Sequence, residues 1–123
     1  MEKIYTKNAH DAIGPYSQAV KVGGLVFTSG QIAINPASGA VEAVTIEEQT
    51  EQVCKNLCAV LEAAGTSIEK AVKTVCFLSD MNDFAAFNAV YGKYFVSKPA
   101  RSCVAAKQLP KNVLVEVEVI AEI

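Results

Sequence analysis

The sequence is poor in the side chains that usually carry catalysis. It holds one histidine, His10, and one arginine, Arg101, against ten lysines. A single imidazole in a polar loop gives little support to Ser-His-Asp chemistry, and His10 is assigned no role. No Cys-x-x-Cys occurs among Cys54, Cys58, Cys76 and Cys103, and no second histidine is present, so zinc-ligand spacing is missing and no metal is expected. The glycines form neither a P-loop nor a Gly-x-Gly-x-x-Gly, and Ser29-Gly30-Gln31 is too short for a phosphate cradle. No apolar run approaches the roughly 20 residues that span a bilayer. Eleven Lys plus Arg against thirteen Asp plus Glu leave a formal charge of −2 and a pI near 5.4. That balance carries no electrostatic footprint for nucleic acid or a membrane surface. Residues 1–7 lack the apolar core of a signal peptide. A cytoplasmic location with reduced cysteines is therefore expected.

What is there suits a soluble globular unit. Of 123 residues, 51% are apolar and 20% charged, with no repeat, linker or low-complexity tract, so one domain over 1–123 is expected. Ile4 to Thr6 carries the first strand signal. Gly23-Gly24 separates Ala19–Val22 from Leu25–Thr28 and predicts a two-residue β-hairpin. Asn35 to Gly39 reads as a loop. Thr45 with Glu48 makes a capping box, and Val53, Leu57, Val60, Leu61 and Ala64 form one helical stripe that Gly65 ends. Val72 to Leu78 reads as a mostly buried strand. Asn82 is placed as the cap of a second helix with the stripe Phe84, Phe87, Tyr91 and Tyr94 or Phe95. Strands are predicted over 102–107 and 114–123, with a turn at 109–112. This order predicts an α/β (α+β) two-layer fold, a mixed sheet with both helices on one face. The other face is left bare, and a homo-oligomer that buries it is the natural solution.

Three features bear on chemistry. A chain that uses lysine for solvation and keeps one guanidinium makes Arg101 a candidate for gripping a planar carboxylate with two parallel hydrogen bonds, although composition alone favours an ordinary surface cation. The last strand alternates: Val113, Val115, Val117 and Val119 face one way, and Leu114, Glu116, Glu118, Ile120 and Glu122 the other. On pattern alone two adjacent carboxylates read as a solvated face; the functional alternative is that one is partly buried at a subunit contact and serves as a base, and alternation does not choose between Glu116 and Glu118. The cysteines suit core packing, Cys103 included, since no general base accompanies it.

Four segments add a resemblance. They are Ala12-Ile-Gly-Pro-Tyr-Ser-Gln-Ala19, Thr28-Ser-Gly-Gln31, Pro99-Ala-Arg-Ser-Cys-Val104, and Leu109-Pro followed by Val115-Glu-Val-Glu-Val-Ile-Ala121. In this order they resemble the RidA (YjgF) family of imine/enamine deaminases over nearly the whole chain. The resemblance implies a chorismate-mutase-like fold with a six-stranded sheet, assembled as a homotrimer with clefts between subunits. It implies hydrolysis of 2-iminobutanoate and 2-iminopropanoate to 2-oxo acids and ammonia, which protects pyridoxal-phosphate enzymes, and it implies no cofactor. By matching position, Arg101 is the carboxylate-binding arginine and Glu116, rather than Glu118, the water-positioning acid. Tyr16, Ser29, Gly30 and Asn88 match cleft positions, and Cys103 matches a residue whose backbone contacts the ligand. One departure stands out: only Val96-Ser-Lys98 separates Tyr94-Phe95 from Pro99, where the family commonly has a longer loop, often with an aromatic residue before the proline. Side-chain preference is therefore left open. The competing expectation is a non-catalytic module of the same fold that binds a small carboxylate, keeping Arg101 without needing Glu116. RNA cleavage, attached to some relatives, is disfavoured by the acidic pI and single histidine.

Overall fold

Gly23 and Gly24 both adopt positive φ, 59° and 78°, the conformation that lets two residues reverse a chain without splaying its strands. They close β2 (Ala19–Val22) onto β3 (Leu25–Thr28), with Val22 opposite Leu25. The computed structural model that establishes this describes all residues, 1–123. Strand β1 (Glu2–Ile4) pairs with the outer side of β2. A two-residue ribbon, β4 (Ile34–Asn35) and β5 (Ala40–Val41), closes the loop predicted at 35–39.

Helix α1 (Ile46–Ala63) begins at the predicted capping box: the Glu48 N–H donates to Thr45 Oγ1 at 3.1 Å, and the Thr45 N–H donates to Glu48 Oε1 at 3.2 Å. Its stripe Val53, Cys54, Leu57, Val60 and Leu61 is fully buried. Gly65, at φ 86°, ends it. Then follow β6 (Ala71–Leu78), α2 (Phe84–Tyr94), β7 (Ala100–Ala105) and β8 (Val115–Glu122). The sheet runs β1-β2-β3-β8-β6-β7, and only β6 and β7 are parallel, joined across α2. The mixed six-stranded sheet with two helices is as expected.

Strand β8 lies at the centre. Val115, Val117, Val119 and Ala121 are buried with α1 and α2 in a single apolar cluster. Glu116, Glu118 and Ile120 take the opposite face, as the alternation predicts. That second face carries no helix. Register puts Val22 and Phe27 on it, in β2 and β3, with Ser102 and Val104 in β7. Val22, Phe27 and Val104 keep 49%, 39% and 50% of their surface exposed, apolar side chains left uncovered on a face they share with Lys73, Glu116, Glu118 and Glu122.

Several boundaries differ from the sequence reading, and β6 begins at Ala71, one residue before the predicted Val72. Strand β1 covers Glu2–Ile4, not 4–6, because the backbone of Thr6 is taken by a side chain: its N–H donates to Gln18 Oε1 at 2.7 Å and its carbonyl accepts from Gln18 Nε2 at 3.0 Å. Strand β7 starts at Ala100, directly after Pro99, and stops at Ala105, where its partner β6 ends at Leu78. The final strand is Val115–Glu122, shorter at both ends than 114–123, and Leu114 N–H instead donates to Gln49 Oε1 at 2.8 Å. Asn82 does not cap α2. Asp80 caps a 3₁₀ turn over Met81–Asp83 by accepting from the Asn82 N–H at 2.8 Å, and α2 starts at Phe84. Of the two aromatic alternatives at its end, Phe95 is buried, while the Tyr94 hydroxyl donates to Glu51 on α1.

Candidate functional site

Phe84, Phe87, Asn88 and Tyr91 are three, four and seven residues apart and share one face of α2. Arg101 stands opposite them on the edge strand β7. Its register partner on β6 is Thr74, fully buried on the helix side, so the Arg101 side chain rises on that side too. The guanidinium carbon lies 4.8 Å from the centre of the Tyr91 ring, 5.4 Å from Phe84 and 6.0 Å from Phe87. Flat, weakly hydrated guanidinium stacks on rings in a way an ammonium cannot. Arg101 Nη1 donates to Asn88 Oδ1 at 2.7 Å. Tyr91 is itself fixed by a 2.7 Å contact between its hydroxyl and Thr74 Oγ1 and by stacking on Phe95 at 4.3 Å. The chain has one ion pair, Lys21 with Glu2; the charge of Arg101 meets no carboxylate. Beside it lies a hollow of about 480 Å³ that Asn88, Tyr91 and Arg101 help to line.

Glu116 is on the other face of the sheet. Its carboxylate lies against Gly30, just beyond β3, where a Cβ would come within 2.5 Å of Glu116 Oε2 and 2.9 Å of its carboxyl carbon. Glycine is what permits this close approach. Burial, and then the neighbouring Glu118, push the Glu116 carboxyl above its ordinary range. Tyr16 and Gly30 line the Glu116 hollow, as do His10 and Lys111. Ser29 holds the loop that carries Tyr16: its N–H donates to the Gln18 carbonyl at 2.8 Å, and its hydroxyl to the Ser17 carbonyl at 2.5 Å. Gln18, buried, also donates to the His10 carbonyl at 2.8 Å.

The seven residues singled out from the sequence thus fall into two groups. Arg101, Asn88 and Cys103 belong to the helix side of β7 and α2; Tyr16, Ser29, Gly30 and Glu116 belong to the far face and the end of β3. Within one chain the sheet separates them. Cys103, in register with buried Cys76, lines neither hollow. Burial pushes its thiol up, and the opposing pull of Arg101 does not reverse this, so it is no activated nucleophile. Cys76 is pushed up by burial to about 12. Sequence reasoning missed His10 and Lys111 at the Glu116 hollow and the Gln18 clasp. Lys111 lies in the turn predicted at 109–112; it sits at φ 55°, followed by Asn112 at 53°, and although asparagine is common in the left-handed region, nothing local marks the lysine before it.

No three His, Cys, Asp or Glu side chains gather as a metal site, and no helix is long and apolar enough to cross a membrane. The family model described as endoribonuclease L-PSP matches residues 6–123. A RutC family protein of Pyrococcus horikoshii is 51% identical over 98% of this chain and 96% of its own length. Among solved structures, the Rid-family protein YyfA of Yersinia pestis has 49% identity and a TM-score of 0.96, covering 99% of this chain and 98% of that one. Escherichia coli TdcF, solved with bound serine, has 40% identity and a TM-score of 0.95, covering 100% of this chain and 99% of that one. On matches of this extent, the chain belongs to the endoribonuclease L-PSP (YjgF/RidA) family, whose members include RutC and Rid proteins.

Proposed function

We propose that the protein hydrolyses small 2-imino acids to 2-oxo acids and ammonia, at a site made by the Arg101 half of one copy and the Glu116 half of another. The observation that carries this is the guanidinium of Arg101. It is half-buried, stacked on aromatic rings, hydrogen-bonded to an amide oxygen and matched by no acid of the chain. A small carboxylate completes such a group. The serine bound in TdcF is a ligand with a carboxylate of this kind.

In this reading Arg101 holds the substrate carboxylate and so orients the adjacent C=N carbon. Glu116 accepts a hydrogen bond from water and directs its oxygen at that carbon. As the C–O bond forms, the C=N electron pair moves to nitrogen, and Glu116 transfers the water's proton there. Glu116 then takes the carbinolamine's hydroxyl proton and delivers it to nitrogen, so that the C=O bond forms as the C–N bond breaks and ammonia leaves. Imine hydrolysis is intrinsically easy, so positioning and one proton carrier suffice without a serine nucleophile. The helix-free sheet face that carries Glu116, with exposed Phe27 and Val104 among its charged residues, is the surface through which copies meet, as a homotrimer.

The family's description names an endoribonuclease. The imino-acid reading is preferred because the Arg101 hollow suits a small anion, while a net charge of −2 disfavours a polyanion. The test is coupled to threonine dehydratase: the purified protein accelerates 2-oxobutanoate and ammonia release in the presence of a scavenger for free imine. No acceleration at micromolar protein overturns the reading.

Gly30→Ala bears on the same reading. Alanine is allowed at this backbone, but its methyl takes the space of the Glu116 carboxylate. Turnover is expected to fall about tenfold or more, since small displacements of a catalytic group are costly, while the melting temperature moves by only a few degrees. Unchanged turnover would show that the carboxylate's place is not important.

A further inference from the structure

The Arg101 hollow carries more positive charge than one carboxylate requires. Lys98 lines it together with Arg101, and no acidic residue does. Neither cation belongs to the chain's one ion pair. In a molecule whose net charge is −2, two unpaired cations in one hollow are a local reversal of sign. The backbone holds Lys98 there. It is one of three non-glycine residues with positive φ, at 55°, a conformation that costs a non-glycine residue about 1 kcal/mol or more. Its N–H donates to the Phe95 carbonyl at 3.1 Å, which folds the Val96–Lys98 link back on the end of α2. Pro99, also at the hollow, removes the next N–H and leads straight into β7. So short a link fixes where the Lys98 backbone stands, with the exposed side chain beside the hollow.

We infer that Lys98 makes this site selective for 2-imino acids whose side chain bears a second anionic group, such as the 2-imino forms of four- and five-carbon dicarboxylic acids. The inference rests on the proposed imino-acid site and deepens it. Arg101 takes the carboxylate next to the imine carbon, and Lys98 meets the distal one. A volume of about 480 Å³ accommodates a ligand of this size.

The test uses the product acids, so that binding is read apart from turnover. Titration calorimetry compares 2-oxobutanoate with 2-oxoglutarate on wild type, Lys98→Met and Lys98→Glu. Wild type is expected to bind 2-oxoglutarate about fivefold more tightly than 2-oxobutanoate, the scale of one partly exposed charge-assisted contact. That advantage is expected to vanish in Lys98→Met, to invert in Lys98→Glu, and to shrink with added salt. Equal affinities in wild type, or a ratio that Lys98→Met leaves in place, overturns the inference. Turnover of 2-iminobutanoate is measured in parallel. If it is absent while the affinity ratio behaves as stated, the deaminase reading fails and the dianion preference stands.

Discussion

Arg101→Lys is expected to lower kcat/KM for 2-iminobutanoate, the proposed substrate, by about a hundredfold. Lysine keeps the charge but loses three things at once: the two parallel N–H donors toward a carboxylate, the stacking on Tyr91 and Phe84, and the 2.7 Å bond to Asn88. The bidentate charged contact alone is worth about 2–3 kcal/mol, and each 1.4 kcal/mol is tenfold. Because the carboxylate is held in both ground and transition states, the loss appears mainly as a raised KM. Steady-state kinetics read the split. A variant within threefold of wild type would mean that the guanidinium has no part in binding substrate. Arg101 bonds to no other side chain but Asn88, so the fold is expected to survive the change, and circular dichroism checks this.

Glu116→Gln is expected to act on the other parameter. The amide keeps the shape against Gly30 but accepts no proton, so kcat falls by about 10²–10³ while 2-oxobutanoate binding is retained. Retained binding with lost turnover supports the enzyme; unchanged turnover supports a non-catalytic carboxylate-binding module. The pH dependence has a definite sign. Burial and Glu118 both disfavour the charged form of Glu116, so it keeps its proton to a higher pH than an ordinary glutamate. In the proposed reaction the carboxylate is the active form. The acid limb of the rate profile therefore lies above the usual range near 4.5, and Glu118→Gln, by removing one cause, shifts it to lower pH. Stability runs the other way for this group. Its contribution is fully present below the unfolded-chain value and is lost as pH rises through the folded one.

Much of the fold could be read before any coordinates. The Gly23-Gly24 hairpin, the Thr45–Glu48 capping box and the alternation of β8 are local signals, each enforced by the backbone chemistry of a few neighbouring residues. What escaped depended on partners distant in sequence. Strand β1 is displaced because Gln18, twelve residues on, occupies the backbone of Thr6. The limits of β7 follow from its parallel partner β6, and no pattern within Ala100–Ala105 records them. The candidate residues are legible in the sequence, and their arrangement in the fold is not. Parity along β8 places Glu116 opposite the valines, but only the register chain from Arg101 to Thr74 to Val119 puts Arg101 on the valines' side of the sheet. That relation crosses three strands, and the spacing of residues in the sequence does not encode it.

The placement of Arg101 and Glu116 on opposite sides of one sheet leads to the central claim, that substrate is handled by two copies together. Mixed assemblies test it most directly. Arg101→Met and Glu116→Gln are each purified, found inactive, then combined in equal amounts and allowed to exchange subunits. If each site draws its guanidinium from one copy and its carboxylate from the next, about a quarter of the sites in a randomly mixed cyclic assembly regain both groups. Recovery of about a quarter of wild-type activity is the expected result. A mixture that exchanges subunits fully yet stays as inactive as its parents would contradict the account.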